Sequence, residues 1–398
     1  MRDTRIVRIW IGIVAFSIGL HGTIPLSSYY REVLGASTGD LTLLYAAYPL
    51  ALIPALIVFG TSSDAVGRRR IVLPSMVLTT AASLMLAVAG NMPVLFAGRA
   101  VQGWATGMFW GAASAFLLDH VDAEHRLDAS LTLSATFMGS IAIGIFVFGT
   151  AFSVLGSAVW PWLLHSVVMV AAIGLVRTVP EPRLRTTRQR ATVALPHPLH
   201  RRAFFTFIVP ITICLIGLGS FVIALGPHFV EVARPSSSGL QGAVVALALA
   251  LGAVVQVATR RVAVRLVTAI GAVVLPLGGA VLVTAVVADS LSLTVVGMGF
   301  VGMGMGLAFR GLFAMTEQMT TPADQAGVIS TFSIVFYMAN AVPVIAGGYA
   351  ATAFGLGPAT AGLTVLAAGT AAGAYAVVRK DSPFASLWRR LPREDVGG

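Results

Sequence analysis

The residues able to hold charge or move protons are few, and they gather at the edges of long apolar runs. The densest group is "FGTSSDAVGRRRIVL", Phe59 to Leu73, in which Gly60, Asp64, Gly67 and Arg68 precede Arg69 and Arg70. Gly60 and Gly67 suit a tight turn with positive φ. Asp64 can accept hydrogen bonds from backbone donors at the start of the next helix, whose dipole favours a negative charge. Arg68 can pair with an acid, and Arg69 and Arg70 read as charges that only set topology. Two other arginines, Arg99 and Arg310, stand inside apolar runs, where a charge needs a cavity or a partner. Glu317 follows Arg310 by seven residues, so both project from nearly one helix face. Arg310 therefore either meets an anionic solute group or is neutralised by Glu317 or a neighbouring helix.

His21 is the one ionisable residue in the first apolar run. No acid lies deep in any run, so the groups open to proton transfer are His21 and the more peripheral Asp40, Asp119 and Glu317. Ser330, Ser333, Tyr337 and Asn340 form one polar stripe at helical spacing. Ser17, His21 and Ser28 form a sparser one. Such stripes line an aqueous path or hydrogen-bond between helices. No Ser/His/Asp set, metal-ligand cluster or G-x-x-x-x-G-K-[ST] loop appears, so neither an enzyme nor a cofactor or metal is expected. The single cysteine, Cys214, excludes an intrachain disulfide.

The elements that carry these residues follow from composition. Of 398 residues, 57% are hydrophobic and 11% charged, and the mean hydropathy is +0.88. So apolar a chain cannot cover its surface with polar groups, and the bilayer is the expected solvent. The net charge of +10 is not arranged as in a nucleic-acid reader, since no basic helix with interleaved aromatics is present. The N-terminus, "MRDTRIVRIW", resembles a signal peptide, but the apolar run continues without a small-residue cleavage site and reads as a retained helix.

Twelve helical spans are expected, at roughly 9–30, 40–60, 71–90, 94–118, 129–150 and 158–178, then 203–226, 239–259, 264–287, 291–316, 326–352 and 357–378. With the N-terminus in the cytosol, all but four of the 26 Lys and Arg residues fall on the cytoplasmic side. Arg31 and Arg234 lie outside, and Arg99 and Arg310 within spans. That bias predicts a multi-pass cell-membrane protein with both termini cytoplasmic. The expected organisation is a six-helix bundle over roughly 1–178, a basic linker over 179–202, a second bundle over 203–378 and a tail over 379–398. A shift of 199 residues aligns Gly98, Gly103 and Gly107 with Gly297, Gly302 and Gly306, and Thr132, Ser134 and Phe137 with Thr331, Ser333 and Phe336.

The pattern Gly60-x-x-x-Asp64-x-x-Gly67-Arg68-Arg69-Arg70 resembles the helix 2–3 signature of the major facilitator superfamily. Arg99-x-x-Gln102-Gly103, within "AGRAVQGWATG", adds a second likeness in helix 4. Ser62 and Ala65 depart from the first signature, which usually has an apolar and a basic residue there. Helix 5, "FMGSIAIGIFVFG", has glycines but not the Gly-Pro motif common in drug/proton antiporters. The resemblance implies an all-α polytopic membrane protein working by alternating access as a secondary transporter. It also implies that Asp64 and Arg68 form a charge relay with Asp119, a latch that breaks as the halves rock. Arg99 and Gln102 would belong to a motif linked to proton coupling or helix packing. The expected activity is proton-coupled efflux of a small drug-like or metabolite compound by a monomer, without nucleic-acid partners. Import of a small organic anion, or a transport-silent receptor on the same fold, are the alternatives.

Overall fold

A computed structural model describes residues 4–59, 66–181, 193–234, 237–320 and 325–379. Gly60 and Asp64 lie outside the described residues. Every regular element described is helical. Among the described residues, ten helices are long and apolar enough to cross a membrane. Valines and other large apolar side chains stand exposed on them, among them Val77, Val154, Val287 and Phe354. Apolar exposure on this scale fits a lipid surround and not water.

The chain clusters into two compact units, Met1–Thr192 with Ser236–Ala246, and Val193–Pro235 with Leu247–Gly398. The first unit runs through α1 Thr4–Ile18, α2 Ser27–Leu34, α3 Thr38–Phe59, α4 Arg68–Ala87, α5 Met92–Leu118, α6 Arg126–Leu155 and α7 Val159–Val176. The second begins with α8 Pro198–Ala203, α9 Val209–Ile211, α10 Gly217–Ala224 and α11 Gly226–Ala233. Next come α12 Ser238–Ala258, whose first half groups with the first unit, α13 Val264–Val287 and α14 Leu291–Glu317. It ends with α15 Gln325–Ala339, α16 Val342–Phe354 and α17 Leu356–Arg379.

Two expected continuous spans prove broken, and a third is locally distorted. The first, expected through residue 30, stops at Ile18 and resumes at Ser27. The "GLHGTIPL" stretch between them turns through Leu20 N–H to Ser17 O, Gly22 N–H to Gly19 O and Ile24 N–H to His21 O. Two glycines and a proline in eight residues explain the break. The span around Pro210 keeps its course through π-helical turns at Phe204–Ile208 and Thr212–Ile216, which absorb the missing proline donor. The expected helix over 326–352 breaks at Asn340–Ala341, just ahead of Pro343.

The internal repeat is visible as equivalent work in the two units. Helices α5 and α14 each have 27 residues. Asn91 caps α5 by accepting the Val94 N–H at 3.0 Å, and Ser290, its equivalent at the 199 shift, caps α14 by accepting that of Leu293 at 3.3 Å. A β-carbon on Gly103 would strike the Tyr48 carbonyl, and one on Gly302 the Ala248 carbonyl. One turn on, Gly107 faces Leu52 and Gly306 faces Gly252. These glycines let α5 approach α3, and α14 approach α12, at backbone contact.

Candidate functional site

Two polar clusters stand out in the first unit. The first joins three helix ends. Gly67 precedes α4 at φ +113°, a conformation that favours glycine. A β-carbon there would also sit 3.1 Å from the Glu181 carboxyl carbon. Both Glu181 oxygens accept the Arg69 N–H, at 3.1 and 3.3 Å. A carboxylate thus closes the positive end of α4. The Arg69 guanidinium donates to the Arg177 and Val179 carbonyls, at 3.1 and 3.0 Å, at the exposed end of α7. Arg69 is therefore more than the topology charge expected of it. Arg68 Nε donates to Asp119 Oδ2 at 3.2 Å, and Asp119 follows the last residue of α5. Arg70 is exposed.

The second cluster surrounds Arg99, whose side chain is fully buried. Its Nη1 donates to the Leu20 carbonyl and to Gln102 Oε1, both at 2.6 Å. Its Nη2 and Nε reach the Tyr45 and Leu44 carbonyls at 3.4 Å. The Tyr45 carbonyl is the one that a residue-49 N–H would engage in a regular α-helix, and Pro49 has none. Arg99 supplies the donor that Pro49 lacks. Gln102 Nε2 donates to the Gly19 carbonyl at 2.9 Å. Together they satisfy carbonyls freed where helix one breaks. Tyr48 lies beneath the guanidinium, with its ring centroid 4.8 Å from Cζ. His21 stands in the break, half-buried, its ring edge-on to Tyr45 and Tyr48 at 5.7 and 5.8 Å.

His165, on α7, completes the support of the break. Its Nε2 donates to the Ala15 carbonyl at 3.0 Å and its Nδ1 pairs with the Ser83 hydroxyl at 2.8 Å. Gly19 leaves the room its imidazole occupies. The sparse stripe of Ser17, His21 and Ser28 does not act as one face. Ser17 bonds back to the Ile13 carbonyl at 2.7 Å, and Ser28 meets Ser238 at 3.1 Å.

In the second unit, Arg310 closes a helix end. Its Nη1 donates to Thr259 Oγ1 at 3.2 Å, and its Nη2 to the Arg260 and Val262 carbonyls at 3.0 and 3.2 Å. Glu317 ends α14, exposed. Asn340 is buried, accepts from Ser220 at 2.7 Å and donates to the Phe336 carbonyl at 2.8 Å. Ser333 bonds back to the Ile329 carbonyl at 2.9 Å, and Tyr337 packs edge-on against Phe336 at 5.4 Å. Along the stripe, Ser333 thus bonds within its own helix, and Asn340 bonds both to the Phe336 carbonyl and across to Ser220.

Aromatic pairs repeat as well. Trp110 and Phe137 lie 4.1 Å apart, and Phe309 and Phe336, their equivalents at the 199 shift, 5.0 Å apart. All four are half-buried. Sequence reading missed Trp110, Phe309, Tyr48, His165 and Glu181. For Glu181 a signal existed, since it is the one acid in the basic stretch 179–202.

A family model described as the Major Facilitator Superfamily matches residues 9–342. Quinolone resistance protein NorA of Staphylococcus aureus is 23% identical over 222 residues, 55% of this chain and 57% of the relative. The chain's match thus spans little more than half the length of that relative. The MFS-type efflux pump MMF1 of Pseudozyma antarctica is 27% identical over 138 residues, 34% of this chain and 24% of the pump. Among solved structures, a bacterial homolog to the human lysosomal transporter Spinster superposes with TM-score 0.78 at 12% identity, over 94% of this chain and 96% of that one. The nucleoside transporter NupG superposes with TM-score 0.68 at 13% identity, over 95% and 100%. At these identities the structures establish the fold.

Proposed function

Because this chain belongs to the Major Facilitator Superfamily, we propose that it is a secondary transporter moving a small organic solute by alternating access. The solute is an aromatic, amphiphilic compound expelled from the cell in exchange for protons. Twelve crossings in two six-helix bundles, with both termini cytoplasmic, carry the activity, and the solute crosses chemically unchanged. The repeated, half-buried aromatic pairs Trp110–Phe137 and Phe309–Phe336 are the observation that supports this solute class. Aromatic faces hold flat apolar rings without demanding a fixed hydrogen-bond pattern. The similarity to NorA and MMF1 favours efflux over uptake. Import of an organic anion through Arg310 is less favoured, because its guanidinium is engaged by Thr259, Arg260 and Val262.

Cells expressing the protein, loaded with a fluorescent quinolone, test the reading. Faster loss of fluorescence than in control cells, abolished by a protonophore, is expected. Loss that equals the control, or that survives collapse of the proton gradient, removes proton-coupled efflux of such a compound.

A further inference from the structure

Proton exchange needs a group that gains and loses a proton within the membrane-spanning part of the chain. We propose that this group is His21, an inference that rests on the proton-coupled reading above. Every Asp and Glu of the described residues stands near a helix end or in a connection, including Asp40 at the start of α3, Asp119 after α5 and Glu317 at the end of α14. Arg99 keeps its proton at ordinary pH. His165 is 2% exposed, with both ring nitrogens already in hydrogen bonds.

His21 differs on each point. It sits where α1 and α2 are interrupted, so the backbone beside it is not locked in a helical ladder. Its Nδ1 is shielded from solvent and has no hydrogen-bond partner, while the residue as a whole is only half-buried. A polar atom held in that way is costly unless the chain has another use for it. The carbonyls nearest in sequence to His21 in this break, Gly19 and Leu20, are already bonded to Gln102 and Arg99. At the equivalent position of the second unit stands Ser220, whose hydroxyl is bonded to Asn340. The repeat has thus placed a titratable, unpartnered group in one unit and an inert, satisfied one in the other.

The charged and titratable groups facing His21 are Tyr45 and Tyr48 from α3 and, over Tyr48, Arg99 from α5. His165 from α7 lies against the neighbouring Gly19. Among the described residues no carboxylate joins them. Protonation adds one proton to the free lone pair of the imidazole and changes no other bond. It places an imidazolium beside a fixed guanidinium, across one tyrosine ring. Like charges in a poorly hydrated site repel strongly. The repulsion acts on the bonds that Arg99 and Gln102 make to Leu20 and Gly19, the backbone flanking His21. Proton binding thereby favours a rearranged break, and proton release favours the arrangement described here.

Pyranine-loaded proteoliposomes and a fluorescent quinolone test this with wild type and His21→Gln. The substitution should lower accumulation driven by a pH gradient, and the linked pyranine signal, at least about tenfold. Quinolone exchange at equal pH on both sides, which needs no net proton movement, should stay within about twofold. A thermal melt checks the fold, and His21→Asn replaces His21→Gln if the latter does not fold. Gradient-driven accumulation by the folded variant equal to wild type overturns the assignment to His21 alone. Loss of exchange together with accumulation in a folded variant also overturns it, since the side chain then serves binding. If wild type itself moves neither quinolone nor protons, the antiport reading fails and this inference falls with it.

Discussion

Arg68 Nε and Asp119 Oδ2 meet at 3.2 Å across 51 residues of sequence, tying the start of α4 to the end of α5. The two side chains are 13% and 28% exposed, so the pair is partly screened and adds on the order of 1 kcal/mol or less to stability. Its importance in this account is conformational. Asp119→Asn should fold with little change in melting temperature yet lose most transport, and Asp64→Asn should behave alike. Transport by Asp119→Asn near the wild-type rate removes the latch.

Glu181 makes a second prediction at the same helix ends. Glu181→Ala removes the acceptor of the Arg69 N–H and the negative charge at the positive end of α4. Thermal unfolding should show a loss of roughly 0.5–2 kcal/mol. Gly67→Ala adds backbone strain at φ +113° and crowding against Glu181, so it should also destabilise. An unchanged melt for both variants contradicts the cap.

The glycine contacts predict matched effects in the two units. Gly103→Ala and Gly302→Ala each force a methyl into a facing carbonyl, of Tyr48 and Ala248. Each should lower stability by about 1–3 kcal/mol, as overpacking does. Gly174→Ala is the control, because a β-carbon there meets nothing within 4 Å. Equal tolerance of all three substitutions contradicts the close approach.

Arg310→Gln should destabilise the second unit, because it withdraws donors from the Arg260 and Val262 carbonyls and from Thr259. The effect should be on the order of 1–3 kcal/mol. A double-mutant cycle with Thr259→Val should show coupling, and a coupling near zero would contradict the Arg310–Thr259 bond.

Trp110→Ala and Phe309→Ala should each raise the quinolone concentration needed for half-maximal transport several-fold, since aromatic pairing contributes about 0.5–1.5 kcal/mol beyond area burial. Phe205→Ala, an exposed aromatic outside both pairs, serves as the reference. If it impairs transport as much as Trp110→Ala, the aromatic pairs have no special role.

Much of the helical plan was legible because bilayer thickness imposes span length on composition. The repeat was legible too: Gly103 and Gly302 were matched from sequence, and the structure gives them the same contact. The breaks were not. "GLHGTIPL" is as apolar as its flanks, and hydropathy does not register a lost helical ladder. Nor does a linear reading pair Arg99 with the donor gap left by Pro49, fifty residues earlier. Arg69 read as a topology charge because its partners are backbone carbonyls, which no side-chain pattern announces. Glu181 was overlooked because an acid in a basic segment reads as solvated.

The central claim is transport driven by a proton gradient alone. Purified protein in liposomes, with an imposed pH gradient, a fluorescent quinolone and no nucleotide, tests it most directly. The account predicts accumulation of the quinolone above its equilibrium level on the acidic side, in exchange for protons, collapsing when a protonophore is added. Simple equilibration across the membrane, at the same rate with and without the gradient, would contradict it.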